Sequence, residues 1–139
     1  MSETPRLETY PHVTHDKLRY SDTDRQGHVN NAVFSTYLET GRVEIFYQDP
    51  DMIEEGCEFV IARVVLDFLG EVRWPGEVTI ASGVRKLGSS SVTLEQAIFQ
   101  NGACVARAET IIVQINQTTR KSQALGERAR AKLERLSLA

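Results

Sequence analysis

The chain predicts an α+β domain with a largely antiparallel sheet, and three features of its 139 residues carry that prediction. One long helical pattern follows the first strand. The segments after it alternate apolar and polar residues with a period of two. Between the last two of them Asn101-Gly102 supplies the paired positive-φ positions of a tight hairpin.

The first dozen residues are polar and carry Pro5 and Pro11, which reads as a loose arm over about residues 1–12. A strand is predicted from about Val13 to Tyr20. Asn30 or Asn31 caps a helix that continues to about Tyr47, with Phe34, Leu38, Gly41 and Ile45 along one face. Gly41 on that face costs about 1 kcal/mol of helix propensity and permits close approach, which a sheet wrapped around the helix would use.

In F-V-I-A-R-V-V-L-D-F-L the alternation places Val60, Ala62, Val64, Leu66 and Phe68 on one face, opposite Arg63 and Asp67. Trp74-Pro75-Gly76 marks a turn. Val78, Ile80, Ser82 and Val84 alternate along the next strand, and Val92, Leu94 and Ile98 along the one after Leu87-Gly88-Ser89. The last strand, about Ala103 to Ile115, presents Cys104, Ala106, Ala108 and Ile112 together, small enough to admit a helix. A short amphipathic tail over about residues 121–139 carries Leu125, Ala129, Leu133 and Leu136. With no internal repeat and no linker, residues 1–139 read as one domain.

Sixteen basic against 19 acidic side chains give a net charge of −3, which offers nucleic acid or an anionic membrane no electrostatic footprint. No apolar run reaches the length of a membrane span, and M-S-E-T-P-R-L-E-T-Y lacks the pattern of a signal peptide, so a cytoplasmic protein is expected. Cys57 and Cys104 lack C-x-x-C spacing and are expected to be reduced thiols. His12-Val13-Thr14-His15 lies off any predicted helix and beside no acidic ligand, so no metal is expected there, nor any cofactor elsewhere.

The densest chemistry is D-T-D-R-Q-G-H-V-N-N, Asp22 to Asn31, at the mouth of the long helix. A carboxylate there faces unpaired backbone N–H groups, so one segment supplies a base and an anion-stabilising site. That combination suits hydrolysis of an activated acyl group. Asp24 is the candidate base, its alternative being a turn-capping acid, and Asp22 reads as scaffolding. His28 either orients Asp24 or a water, or is a loop histidine satisfied by backbone. Asn30 and Asn31 are good caps, and Glu39 and Arg42 suit an i,i+3 ion pair.

D-T-D-R-Q-G-H-V-N-N, with Y-L-E-T-G-R in the helix and R-K-L-G-S-S-S-V between two later strands, resembles the hot-dog-fold acyl-thioester hydrolases of the 4-hydroxybenzoyl-CoA thioesterase-like superfamily. The resemblance spans nearly the whole chain. It implies a five-stranded sheet wrapped around one central helix, and homodimers, sometimes tetramers, with sites at the subunit interface. It further implies that Asp24 acts as general base or nucleophile while the backbone N–H near Asn31 polarises the carbonyl. In plant acyl-carrier-protein thioesterases a histidine matching His28 belongs to the site, and Gln26 stands where they carry asparagine. Asn30 adjoins the same junction. Arg85, Lys86 and the serines around Ser90 match a hairpin that in some relatives holds the nucleotide of coenzyme A. The implied substrate is an acyl-CoA or acyl-carrier-protein thioester.

Three rivals are weighed. A haloacid-dehalogenase-type reading of Asp22-Thr23-Asp24 needs a buried parallel strand and βα units, which the antiparallel meander does not provide. Hydratases of the fold space acid and histidine one residue further apart and insert Asn-Pro between them, unlike Asp24-Arg25-Gln26-Gly27-His28. A non-catalytic acyl-CoA-binding module shares the fold, and retention of Asp24 argues against it.

Overall fold

The computed structural model describes residues 4–138. Helix α1 spans Asn31–Phe46, and it starts there because Asn30, with extended backbone, accepts the Ala32 N–H on its side-chain oxygen at 3.0 Å. It buries Phe34, Tyr37, Leu38, Gly41, Ile45 and Phe46, the three-and-four spacing of a single face.

That face lies on a sheet of β1 (His12–Lys17), β2 (Cys57–Phe68), β3 (Glu77–Leu87), β4 (Ser91–Gln100) and β5 (Ala103–Asn116). The strand order is β1-β3-β4-β5-β2, every neighbour antiparallel, which is the α+β class expected. Gly41 marks the closest approach. A Cβ added there would stand 2.8 Å from Gln96 Nε2, 2.9 Å from Ile80 Cγ2 and 3.0 Å from Ser82 Oγ.

The core divides along the helix. Phe34, Tyr37 and Leu38 pack on Val72, Val78 and Ile98 at its start. Ile45 and Phe46 pack at its end on Val84, Leu94 and Ile112, joined by Leu125, Ala129 and Leu133 of the tail, whose helix α2 is Glu127–Glu134. On the outer sheet face Tyr10 and Phe99 cluster with Leu7 and Leu138, and the Tyr10 hydroxyl donates to the buried Glu95 at 2.7 Å.

Three sequence expectations need correction. The first strand ends at Lys17, because Tyr20–Asp22 forms a 3₁₀ turn instead of continuing it. In β2 the register steps between Ile61 and Arg63 and leaves Ala62 as an unpaired bulge. The helix-facing set is therefore Phe59, Ile61, Val64, Leu66 and Phe68, with Val60 turned to the other face. A second step between Ile98 and Phe99 turns Cys104 away from Ala106 and into the outer cluster.

β2 is a sheet edge, and it is apolar: Ile61, Val64, Val65 and Phe68 are all exposed. It runs opposite to α1, with Phe59 beside Phe46 (ring centroids 4.9 Å apart) and Phe68 beside Phe34 (5.2 Å). No helix among the described residues is long and apolar enough to cross a membrane.

Candidate active site

The Asp22–Asn31 segment folds as a closed loop pinned at both ends. Asp22 is buried and accepts three donors, the Arg19 backbone N–H at 3.0 Å, Arg19 Nε at 3.2 Å and the Tyr37 hydroxyl at 2.8 Å. Burial, reinforced by that bond, pushes the Tyr37 hydroxyl pKa far up. The Asp22 carbonyl takes the Asn30 N–H at 2.9 Å, Thr23 bridges Val29, and the Val29 N–H reaches the Val72 carbonyl at 2.8 Å. Asp22 thereby ties the loop to the start of α1.

Within the loop the Asp24 N–H bonds the His28 carbonyl at 2.8 Å and Gly27, at φ 79°, turns the chain back. The exposed Asp24 carboxylate accepts the Gln26 N–H at 2.9 Å and the His28 N–H at 3.3 Å, both on Oδ1. Its Oδ2 takes no hydrogen bond among the described residues. Asp24, Arg25 and Gln26 line an open recess of about 420 Å³. Beyond it Asn30 caps α1 and spends its side chain on Ala32, while Val33 bonds the Asn30 carbonyl. The Asn31 N–H, at the first helical position, has no acceptor among the described residues, as the first N–H groups of a helix lack intrahelical partners.

The His28 ring turns from Asp24 to Glu71, with Nε2 3.2 Å from Oε2, and is mostly buried. Glu71 also holds Arg73 at 3.2 Å, and the Arg73 backbone pairs with His28 and is clamped by Gln100, which accepts its N–H at 3.0 Å and donates to its carbonyl at 2.8 Å. Sequence reasoning missed Glu71, Arg73 and Gln100. They come from segments forty or more residues away, and no local motif links them to the loop.

Arg85, Lys86 and Ser90 are not brought to Asp24. Arg85 pairs with buried Glu95 on the outer sheet face, Lys86 is exposed on the same side after a register step in β3, and the Ser90 carbonyl accepts the Gln114 N–H at 2.9 Å. Their hairpin sits at the Ile45–Phe46 end of α1, a helix of 16 residues and so roughly 24 Å long. Glu39 and Arg42 form no ion pair among the described residues. His12 faces Glu44 at 3.3 Å and His15 faces Glu77 at 3.8 Å, on opposite faces of β1.

One helix wrapped by a five-stranded antiparallel sheet, with an acidic loop closing onto the helix N-terminus, is the hot-dog arrangement. The chain belongs to the thioesterase-like superfamily, whose family model matches residues 18–133. Similar solved structures include a thioesterase from Thermus thermophilus complexed with coenzyme A and zinc, at 33% identity over 94% of this chain and 96% of that one, with a TM-score of 0.80. A predicted thioesterase from Bacillus stearothermophilus is 30% identical over 90% of this chain and 95% of that one, at TM-score 0.83. The probable thioesterase YbaW from Escherichia coli is 29% identical over 89% and 97%, at TM-score 0.77. No curated protein matches the chain.

Proposed function

We propose that the protein hydrolyses an acyl thioester, carried by coenzyme A or an acyl-carrier protein, to the free acid and thiol. The observation that carries this reading is the half-engaged Asp24 carboxylate: Oδ1 is fixed by two backbone N–H groups and Oδ2 is open, in a loop that runs directly into the start of α1. Fixing one oxygen orients the other at little further entropic cost. Asp24 activates water, or attacks directly, at the thioester carbon. The Asn31 N–H and the positive end of α1 stabilise the oxyanion that forms. The leaving thiolate has a conjugate acid of pKa about 8.5 and departs without a strong general acid.

The remaining groups support that centre. Asn30 holds the helix start in place, Gln26 offers an amide to water or carrier, and Glu71 sets the orientation of His28. The similar Thermus protein was solved with coenzyme A, which supports that carrier here. The apolar edge of β2 supports a homodimer, because an exposed hydrophobic strand edge invites pairing with another chain. In such a dimer a nucleotide contact from Lys86 and Ser90 serves the neighbouring copy's site, since their own Asp24 lies at the far end of α1.

Asp24→Asn tests the reading cleanly, because the amide oxygen still accepts the two turn bonds while the charge is lost. Thiol release from an acyl-CoA panel is expected to fall by about 10²–10⁴-fold. Equal turnover by the variant would reassign Asp24 to turn capping. Acyl-CoA binding by the wild type without turnover would favour the non-catalytic module.

A further inference from the structure

His28 links Asp24 to a segment far along the chain. On one side its carbonyl and N–H bond the Asp24 N–H at 2.8 Å and the Asp24 Oδ1 at 3.3 Å. On the other side it stands opposite Arg73, its ring meets Glu71 at 3.2 Å, and the Val29 N–H that follows it reaches the Val72 carbonyl at 2.8 Å. Residues 71–73 belong to the connection between β2 and β3, outside any of the five strands. Whatever fixes that connection therefore fixes His28, and through it the Asp24 turn.

Val72 is fully buried in the core, but packing of one side chain leaves the main chain after it free to pivot. Gln100 stops the pivot. Its side-chain oxygen accepts the Arg73 N–H at 3.0 Å and its amide nitrogen donates to the Arg73 carbonyl at 2.8 Å. An antiparallel ladder ties a residue down by exchanging both backbone bonds with one partner, and here a side-chain amide takes the partner's place. Gln100 is itself the last residue of β4, paired with Ala103 across the Asn101-Gly102 turn, so the clamp is mounted on the closed end of a hairpin. Both bonds lie at an exposed site, where water replaces them when they are lost. Their removal thus displaces the segment more than it destabilises the fold.

We propose that Gln100 is a positioning residue for hydrolysis: by holding the main chain of Arg73 it sets His28 and with it the aim of the Asp24 carboxylate. This rests on the thioester-hydrolase reading and adds to that site a residue from the β4–β5 hairpin, 76 residues along the chain from Asp24. Gln100 acts through the 71–73 segment, by the His28–Arg73 pairing and by the placement of Glu71. A misplacement of about 1 Å in a reacting group costs up to about 10²-fold in rate, so a small pivot at Arg73 suffices to lower turnover.

The test uses two variants. Gln100→Ala removes both bonds, whereas Gln100→Glu keeps an acceptor for the Arg73 N–H and sets a carboxylate oxygen against the Arg73 carbonyl. With the best substrate among acetyl-CoA, octanoyl-CoA and benzoyl-CoA, and at a temperature where circular dichroism shows each variant folded, both are expected to lower kcat by about tenfold or more while KM stays within about twofold. Amide hydrogen exchange of the free protein reads the clamp without any substrate. In Gln100→Ala the His28 and Val29 N–H groups are expected to exchange about tenfold faster, with Leu38 in α1 unchanged. Unchanged exchange at His28 and Val29 overturns the clamp. Faster exchange there with wild-type kcat, or a loss carried by KM alone, overturns the positioning role and leaves the hydrolase reading intact. Absence of thiol release by the wild type from all three substrates refutes the hydrolase reading and this role with it.

Discussion

Gly41→Ala measures how tightly α1 sits on its sheet. In an exposed helix the change would stabilise by about 1 kcal/mol, since alanine is the better helix former. Here the new methyl meets Gln96 Nε2 at 2.8 Å, Ile80 Cγ2 at 2.9 Å and Ser82 Oγ at 3.0 Å. Gln96 is fully buried and donates to the Leu38 carbonyl and to Ser82 Oγ, both at 3.0 Å. Moving it aside gives up two buried hydrogen bonds at about 1 kcal/mol each, and overpacking the Ile80 side costs about 1 kcal/mol more. Against the propensity gain this leaves a net loss of about 2 kcal/mol. The corresponding fall in Tm is roughly 5–10 °C. Urea unfolding at one fixed protein concentration reads the change, with the denaturant slope expected to stay constant. A Gln96→Ala background should relieve much of the penalty. A wild-type background in which Gly41→Ala is neutral or stabilising would refute the close contact of helix and sheet.

Other outcomes follow from the same structure. Asp22→Ala strands the buried Tyr37 hydroxyl and releases the loop from α1, for an expected loss of about 2–3 kcal/mol in chemical denaturation. The phenols of Tyr10 and Tyr37 are held protonated by burial and by donation to Glu95 and Asp22, so both titrate higher in the fold than in the unfolded chain. Their contribution is complete below about pH 10 and is lost as pH rises, at about 1.4 kcal/mol per pH unit per tyrosine. Tyr37→Phe should remove one such share from the alkaline slope, and an unchanged slope would contradict it. The Asp49 carboxyl is lowered by its bond to Lys132, so its contribution is present above the ordinary carboxylate range and lost as pH falls through the folded value. Lys132→Met should move the acid-unfolding midpoint upward, as followed by circular dichroism. Val65→Lys on the exposed edge should shift sedimentation toward monomer if β2 forms the subunit contact.

Much of the architecture was already legible in the sequence, because its elements depend on local physics. The Asn30 cap, the apolar stripe through Phe34, Leu38, Gly41 and Ile45, and the Asn101-Gly102 hairpin each follow from neighbours within a few residues. The bulges at Ala62 and in β5 were not legible. A bulge exists only relative to the strand it pairs with, and each reverses the faces that strict alternation assigns.

The candidate site divides in the same way. Asp24, His28 and Asn31 stand within eight residues of one another in the sequence, and the turn that bonds the Asp24 and His28 backbones is local enough to follow from that spacing. Tertiary structure alone decided that the His28 ring faces Glu71, that Asp22 answers to Tyr37, and that Arg85 is engaged by Glu95 far from Asp24. Those partners lie 43, 15 and 10 residues apart in the chain, so only packing of the sheet and helix, not local preference, could choose them.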